Sequence, residues 1–143
     1  MPNLLSEVGL QIQQARSIGI TAPLIGGDSW DTPEVTQIAG PKNIEGSVYV
    51  AAFSAENPDP IAQDFVNRFK EAFNGDLPNS NATLAYEAGK MIVEGIVNSE
   101  TLDRAGVRDA IAQIKDLQLP SGTLTVGPDR NPIKGASVMR YDE

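Results

Sequence analysis

The chain has 143 residues, a formal net charge of −8, and neither cysteine nor histidine. The absence of these two residue types excludes disulfides, thiolate nucleophiles, zinc sites of the usual kind and histidine acid–base catalysis. Nucleic-acid binding depends on clustered Lys and Arg, so eleven scattered basic residues in an acidic chain argue against it. We therefore expect a globular domain with no cofactor and no metal.

The first predicted elements alternate between helix and strand. Apolar residues at helical spacing predict a first helix that stops at Gly19; they are Leu5, Val8, Ile12 and Ala15. Residues 22–26 predict a short buried strand, and Pro33 begins a brief helix that ends near Ile38. Residues 47–53 are rich in β-branched and apolar residues, which is typical of a strand covered on both faces.

The middle of the chain is predicted to be helical. One helix carries a stripe that we interpret as core and stops at Gly75; the stripe is Ile61, Phe65, Phe69 and Phe73. A second helix runs from about Asn81 to Val97 and is predicted to bury one face, formed by Leu84, Ala88, Met91 and Ile92. Asp103 is predicted to cap a third helix.

The tail of the chain alternates as strands do. Residues 122–126 and 136–141 predict a two-stranded hairpin about a Gly-Pro-Asp-Arg-Asn turn. Because helices and strands alternate at the start, we expect an α/β fold with a parallel sheet and crossover helices. The run of three helices is less regular than a single doubly wound domain requires.

Several stretches occur in the same order and at the same spacing as in one protein family. They are QQARSIGITAPLIGGD at residues 13–28, followed by SWD; FSAENPD at 53–59, leading to FVNRFK; LAYEA at 84–88; and GTLTVGPDRNPIK at 122–134. Together they resemble the type I periplasmic solute-binding proteins of branched-chain amino acid ABC transporters. The match corresponds to the C-terminal part of such a protein.

The resemblance implies two α/β lobes that trap solute between them. Each lobe is a three-layer, flavodoxin-like parallel-sheet unit, so the elements of this chain are expected to be incomplete relative to the two-lobed fold. Residues 1–57 are expected to supply elements of the second lobe, residues 58–134 elements of the first, and residues 135–143 a return strand. A missing N-terminal half, or a second copy in a domain-swapped homodimer, is then expected to complete the fold.

Asp28 is the leading candidate ligand-binding residue. It follows an apolar strand and two glycines, which places its carboxylate at the carboxyl end of a strand, where open α/β sheets bind ligands. A carboxylate there can pair with an ammonium group, and the resemblance implies such a contact with the amine of an amino acid. The competing interpretation is an aspartate that caps a turn or the short helix.

Two further residues are weaker candidates for ligand binding. Trp30, the only tryptophan, either walls the pocket or packs within its own lobe. Asn81 either closes over the ligand from the other lobe or caps its helix, and capping is favoured. Asp31 is predicted to cap the helix that begins near Pro33.

The resemblance implies a non-enzymatic function. Such proteins bind a small amino acid or related amide by lobe closure and deliver it to the membrane permease of an ABC transporter, in the periplasm or another extracytoplasmic compartment. The N-terminal residues lack the basic start and long apolar stretch of a signal peptide. The alternative is an autonomous or engineered α/β module without ligand binding, which acts as a scaffold or associates with itself.

Overall fold

The computed structural model describes residues 5–142 and divides into two compact units. The first unit comprises the residues up to Ser54 together with those from Ala136 onward, and the second unit runs from Ala55 to Gly135. The chain therefore leaves the first unit once and later returns to it. The assignment of the two units to the lobes of the resembled fold stays a prediction.

The first unit begins with alternating elements, as the sequence predicts. They are α1 (Leu5–Ser17), β1 (Ile25–Gly26), a 3-10 turn (Asp28–Trp30), α2 (Pro33–Ala39), α3 (Pro41–Ile44) and β2 (Val48–Ala51). Gly19 follows α1 with a φ of 88°, a conformation that glycine adopts without steric cost, and so it stops the helix as expected. The predicted strand at 22–26 is confirmed only at its last two residues.

The core of the first unit is apolar and well covered. Its buried side chains come from α1, the 3-10 turn, α2, α3 and β2: Val8, Ile12, Trp30, Val35, Ala39, Ile44, Tyr49 and Ala51. Val50, however, is 45% exposed, so β2 is buried on one face rather than on both. The predicted two-sided burial is therefore wrong for this strand.

The second unit contains three helices and three short strands. They are α4 (Pro60–Ala72), α5 (Ser80–Val97), α6 (Arg104–Ala112), β3 (Leu117–Leu119), β4 (Gly122–Val126) and β5 (Pro132–Ile133). Asp103 caps α6 as predicted, because its Oδ1 accepts a hydrogen bond from the Gly106 amide at 2.8 Å. Within the described residues, no helix has the length and apolar content that crossing a membrane requires.

The pairing of the tail strands differs from the prediction. A last strand, β6 (Ser137–Arg140), pairs antiparallel with β2, and β1 pairs parallel with β2 on its other side. β4 pairs with β3 and β5 instead of β6. The turn after β4 reverses the chain onto Pro132 and Ile133, which therefore take the place predicted for the later segment.

The apolar stripes predicted on α4 and α5 are buried only in part. On α4, Phe65 is buried as predicted, but Ile61 and Phe73 are 40% and 53% exposed, and the helix also buries Ala62 and Val66. On α5, Leu84 and Ile92 are exposed, whereas the buried residues are Ser80, Thr83, Glu87 and Gly95. The prediction fails here because burial depends on which elements pack against a helix, and α6 and the β3–β4 strands meet α5 on its more polar side.

Candidate functional site

Asp28 lies where the sequence places it, at the carboxyl end of β1. One glycine separates it from the strand, and its side chain is exposed. Its carbonyl accepts a hydrogen bond from the Asp31 amide at 3.1 Å, which closes the 3-10 turn. Because β1 is paired in parallel with β2, this carboxylate lies at the sheet edge at which α/β proteins bind ligands.

Trp30 is part of the core of the first unit. Its side chain has no exposed area, and a Cβ added to Gly26 would lie only 2.1 Å from its ring. The Tyr141 hydroxyl donates to the Trp30 carbonyl at 2.5 Å, and the two rings are 6.4 Å apart. Of the two interpretations of Trp30, this burial supports packing within the unit.

Buried polar atoms surround Trp30. The Trp30 Nε1 is buried and has no hydrogen-bond partner among the described residues. Nearby, the Tyr49 hydroxyl donates to the Asp31 carboxylate at 3.3 Å. Burial, and then the negative charge of Asp31, raise the pKa of Tyr49 well above its usual range, and the same two causes raise the pKa of Tyr141 to about 12. Both hydroxyls therefore stay protonated at neutral pH.

The predicted capping role of Asp31 is wrong. Thr32 is the N-cap of α2, and its Oγ1 accepts a hydrogen bond from the Glu34 amide at 3.2 Å. Thr32 directly precedes Pro33, the first helical residue, and therefore occupies the position from which a side chain reaches the free amides. Asp31 lies one residue too early and pairs with Tyr49 instead.

Asn81 does not cap α5 either. The N-cap is Asn79, whose Oδ1 accepts a hydrogen bond from the Ala82 amide at 2.9 Å. Asn81 lies in the first turn of α5, exposed, and belongs to the second unit, whereas Asp28 and Trp30 share one turn of the first. A ligand contact by Asn81 stays a prediction.

The second unit contains a buried ionic cluster that the sequence did not predict. Glu87 on α5 is 2% exposed, and its carboxylate accepts from Lys134 Nζ and from the Ser121 amide, each at 2.8 Å. The Lys134 side chain is only 13% exposed. The one available signal was the position of this glutamate, one helical turn before the predicted core residue Met91 on the same face of α5.

The exposed carboxylate of Asp28 suits recognition of a cation rather than catalysis. A carboxylate accepts hydrogen bonds from an ammonium group and compensates its charge. From Leu5 to Asp142, no three acidic, cysteine or histidine residues are grouped so that they could hold a metal ion. A contact between Asp28 and an ammonium group therefore stays a prediction, which the chemistry of the exposed carboxylate allows.

Comparison with known proteins gives consistent matches. A family model described as periplasmic binding protein matches residues 6–143. The leucine-, isoleucine-, valine-, threonine- and alanine-binding protein of Pseudomonas aeruginosa is 30% identical over 118 residues, which cover 82% of this chain and 31% of that protein.

Two solved structures at 25% identity also superimpose on nearly the whole chain. The leucine-binding protein of Thermotoga maritima has a TM-score of 0.90, with 99% of this chain and 40% of that chain covered. The branched-chain amino acid transporter substrate-binding protein of Streptococcus pneumoniae, solved with isoleucine, has a TM-score of 0.86 and the same coverage. The chain thus spans well under half the length of these relatives.

Proposed function

The chain belongs to the periplasmic binding protein family, and on that premise we propose that it binds solute for an ABC transporter. The proposed solute is a small amino acid or a related amide. Its ammonium or amide N–H groups would donate to the carboxylate of Asp28. The observation that carries this proposal is the exposed carboxylate one glycine beyond the carboxyl end of a parallel strand of the first unit.

The names of the relatives support an amino acid as solute. The Pseudomonas aeruginosa protein is named for five amino acids, and the Streptococcus pneumoniae structure contains isoleucine. All five named amino acids have small or branched aliphatic side chains, apart from the hydroxyl of threonine. We therefore propose that an apolar surface close to Asp28 contacts the side chain of the solute.

The proposed mechanism is binding by closure of two lobes. No bond is made or broken, so the chain is proposed to be a non-enzymatic component that docks on a membrane permease outside the cytoplasm. Because the chain spans 31–40% of the matched relatives, these residues are proposed to form only part of the cleft.

Intrinsic fluorescence provides the test. Trp30 is the only tryptophan and lies two residues after Asp28, so a ligand that orders this turn changes its emission. We expect a saturable change with one or more of leucine, isoleucine, valine, threonine and alanine. Asp28→Asn removes the charge but keeps the shape, and it should weaken binding about tenfold or more, since one charge-assisted hydrogen bond is lost.

Glu34→Gln is the matched control. Glu34 is an exposed acid of the same unit, in the first turn of α2, so its substitution changes the net charge equally. It should leave the affinity unchanged. A flat response to the whole panel contradicts solute binding by this chain, and an unchanged affinity in Asp28→Asn contradicts the role of that carboxylate.

A second candidate function is that of a self-associating scaffold module. The observation that favours it is the apolar surface of α5, where Ile92, Val93 and Val97 are 51%, 58% and 73% exposed. Exposed contiguous apolar surface of this kind marks interaction sites. A second copy of the chain would cover this surface on association.

Light scattering over a concentration series tests self-association. Ile92→Lys should shift the chain toward monomer, because the lysine places a charge in the contact. Leu102→Lys is the control, since Leu102 is 81% exposed, lies in the loop before α6 and is not part of the α5 surface. A monodisperse monomer of the unaltered chain at high concentration contradicts self-association.

A further inference from the structure

Helix α5 presents a continuous apolar face to solvent. Its three large residues Ile92, Val93 and Ile96 are 51%, 58% and 44% exposed. The face continues toward the start of the helix with smaller exposed residues, so that the whole apolar face of α5 consists of Ala85, Ala88, Gly89, Ile92, Val93 and Ile96. Because the solvent side of a surface helix is normally polar, a face of this kind indicates an interaction site.

The opposite side of α5 makes the contacts that hold the helix in its unit. Ser80, Thr83 and Glu87 are buried there, and Glu87 forms the ion pair with Lys134 described above. Glu94 lies on the same side, at the groove between α5 and α6. The apolar face therefore points away from the elements that α5 packs against within the second unit.

The two glycines of α5 differ in what surrounds them. A Cβ added to Gly95 would lie 2.3 Å from Ile111 of α6, so packing within the unit explains that glycine. Within the part of the chain that the structure describes, a Cβ added to Gly89 would meet open space. Glycine inside a helix destabilises it relative to alanine. Gly89 thus has no packing role inside the unit, but it lets a partner approach the helix closely from outside.

The charges of α5 favour contact with a second copy of this acidic chain. Across Ser80–Val97 the acidic residues are Glu87 and Glu94, and neither belongs to the apolar face. Lys90 is the exposed charged residue of the helix and lies beside the face rather than on it. Two chains, each with a net charge of −8, can therefore meet here without bringing carboxylates together.

The size of the residues changes along the apolar face. Its central line is formed by Ala85, Gly89, Ile92 and Ile96, at the alternating spacing of four and three residues that is typical of a helix–helix seam. The first two of these residues are small and the last two are large. Two parallel copies would set small against small and large against large. Two antiparallel copies set each large residue against a small one.

We propose that the apolar face of α5 binds the same face of a second copy, with the two helices antiparallel. A twofold axis between Lys90 and Met91 brings Ile92 onto the partner's Gly89, and Ile96 onto the partner's Ala85. Each contact occurs twice, because a twofold interface uses the same surface on both copies. This proposal rests on the second candidate function, self-association, and specifies its surface and its orientation.

The area of the contact sets the expected strength. From Ala85 to Ile96 the face extends about 16 Å, at a helical rise of about 1.5 Å per residue. A strip of this length and one helix wide buries less than the roughly 1,200 Å² that stable interfaces require. We therefore expect a reversible dimer that forms as the concentration rises.

Cysteine cross-linking tests the orientation, because the chain contains no cysteine of its own. Ala85→Cys and Ile96→Cys chains, mixed in equal amounts in a glutathione redox buffer, should form the mixed disulfide. Neither variant alone should form a disulfide dimer. Two copies of the same position lie about 16 Å apart along an antiparallel pair, well beyond the roughly 7 Å that a disulfide spans. Mass spectrometry distinguishes the three possible products.

Gly89→Leu separates this contact from general apolar adhesion. Leucine adds apolar surface and favours the helix, so general adhesion would become stronger. The proposed contact instead becomes weaker, because leucine occupies the space of the partner's Ile92. We expect the dissociation constant from light scattering to rise about tenfold or more. Lys90→Leu is the matched control, since it adds the same side chain one residue away, outside the seam, and should not weaken association.

Each contrary result has a separate meaning. Disulfide dimers of Ala85→Cys alone and of Ile96→Cys alone would overturn the antiparallel orientation. Stronger association in Gly89→Leu would reduce the face to a nonspecific apolar surface. A dimer in light scattering that gives no mixed disulfide would contradict this proposal and leave self-association standing. A monomer at every concentration would contradict both, and solute binding at Asp28 is tested independently of either.

Discussion

The core of the first unit and helix α5 of the second unit bury different kinds of side chain. The first unit encloses Trp30, Ile12 and Val8 without exposed area, and its core cluster consists of apolar and aromatic residues. In the second unit, α5 buries Thr83 and Glu87 while its large apolar residues lie at the surface. Packing holds the first unit together, whereas a polar cluster fixes α5 in the second.

This difference has an energetic meaning. Apolar burial stabilises roughly in proportion to the area removed from water, whereas a buried ion pair must first overcome the cost of desolvating both charges. The stability of the first unit should therefore change little when a core residue is replaced by another apolar residue of similar volume. Substitution of an exposed apolar residue should change the stability of the second unit little. Loss of either charge of the Glu87–Lys134 pair should lower it strongly.

Trp30→Ala has the largest expected effect. Removing this fully buried ring leaves a cavity beside Gly26, and we expect the free energy of unfolding of the first unit to fall by about 3–5 kcal/mol. Phe73→Ala in the second unit should cost about 1 kcal/mol or less. Phe73 is 53% exposed and loses mainly its stacking on Phe69, at 4.3 Å.

Amide hydrogen exchange measures each unit separately, because protection is read residue by residue. The contrast predicts that Trp30→Ala accelerates exchange in α1 and β2, and that Phe73→Ala leaves most amides of α5 unaffected. Equal losses for the two substitutions would mean that the difference in burial has no energetic counterpart.

Lys134→Met should have the next largest effect. It leaves the buried Glu87 carboxylate without its cation, which typically costs 3–5 kcal/mol, and we expect about 3 kcal/mol because Lys134 retains some exposure. Exchange in α5 and the β3–β4 hairpin should accelerate, since Glu87 also holds the Ser121 amide.

The double variant Glu87→Leu with Lys134→Met sharpens this prediction. It removes both charges together, so much of the lost stability should return if the single variant fails through an uncompensated carboxylate. Arg108→Met, which breaks an exposed pair with Asp109 in the same unit, is the control and should change stability by less than about 1 kcal/mol. If stability does not recover in the double variant, the uncompensated Glu87 carboxylate is not the cause of the loss in Lys134→Met.

The smallest predicted effect is a dependence on alkaline pH that arises in the first unit. Its Tyr141 has a pKa of about 12, raised by burial and then by the charge of Asp31, against about 10 in an unfolded chain. Between these values the unfolded state has released the proton that the folded state retains, so stability falls as pH rises. Below about pH 10 the tyrosine is protonated in both states, and the full stability of the first unit is present.

Near-ultraviolet circular dichroism of Trp30 during urea unfolding, at pH 9 and at pH 11, measures this loss. Tyr141→Phe should reduce the difference between the two pH values, because the residue no longer titrates. Tyr49, whose pKa is also raised, keeps part of the dependence. An identical pH difference in Tyr141→Phe would show that Tyr141 does not contribute.

Signals carried by neighbouring residues predicted much of the local structure. Pro33 at the start of α2, Gly19 after α1 and Asp103 before α6 all act within one helical turn, so the sequence alone reveals them. The family was also predicted correctly, from the order of several short motifs, and the family model over residues 6–143 confirms it.

Features set by distant partners were not predictable in the same way. The pairing of β4 with β5 instead of β6 depends on where the chain goes after the turn, and the outward face of α5 depends on what packs behind it. The caps of α2 and α5 were misplaced by one and two residues because several good capping residues adjoin each helix start, as Asp31 and Thr32 do at α2.

The candidate site was predictable in part. Asp28 lies at the end of β1 as expected, because glycines after an apolar run mark a strand end. The burial of Trp30 depends on Tyr141, more than a hundred residues further along the chain, and so no local pattern reveals it. Glu87 was missed for the same reason, since its partners lie 34 and 47 residues away.

The pairing of β2 with β6 determines the order in which the two units can complete their folding during synthesis. Ala51 pairs with Ser137 and Val48 with Arg140, so the whole of the second unit leaves the ribosome before the first unit obtains its third strand. Tyr141, which contacts Trp30, emerges later still. The second unit can therefore fold on the nascent chain, while the first waits with one edge of β2 unpaired, open to chaperones or to the β6 of a neighbouring nascent chain.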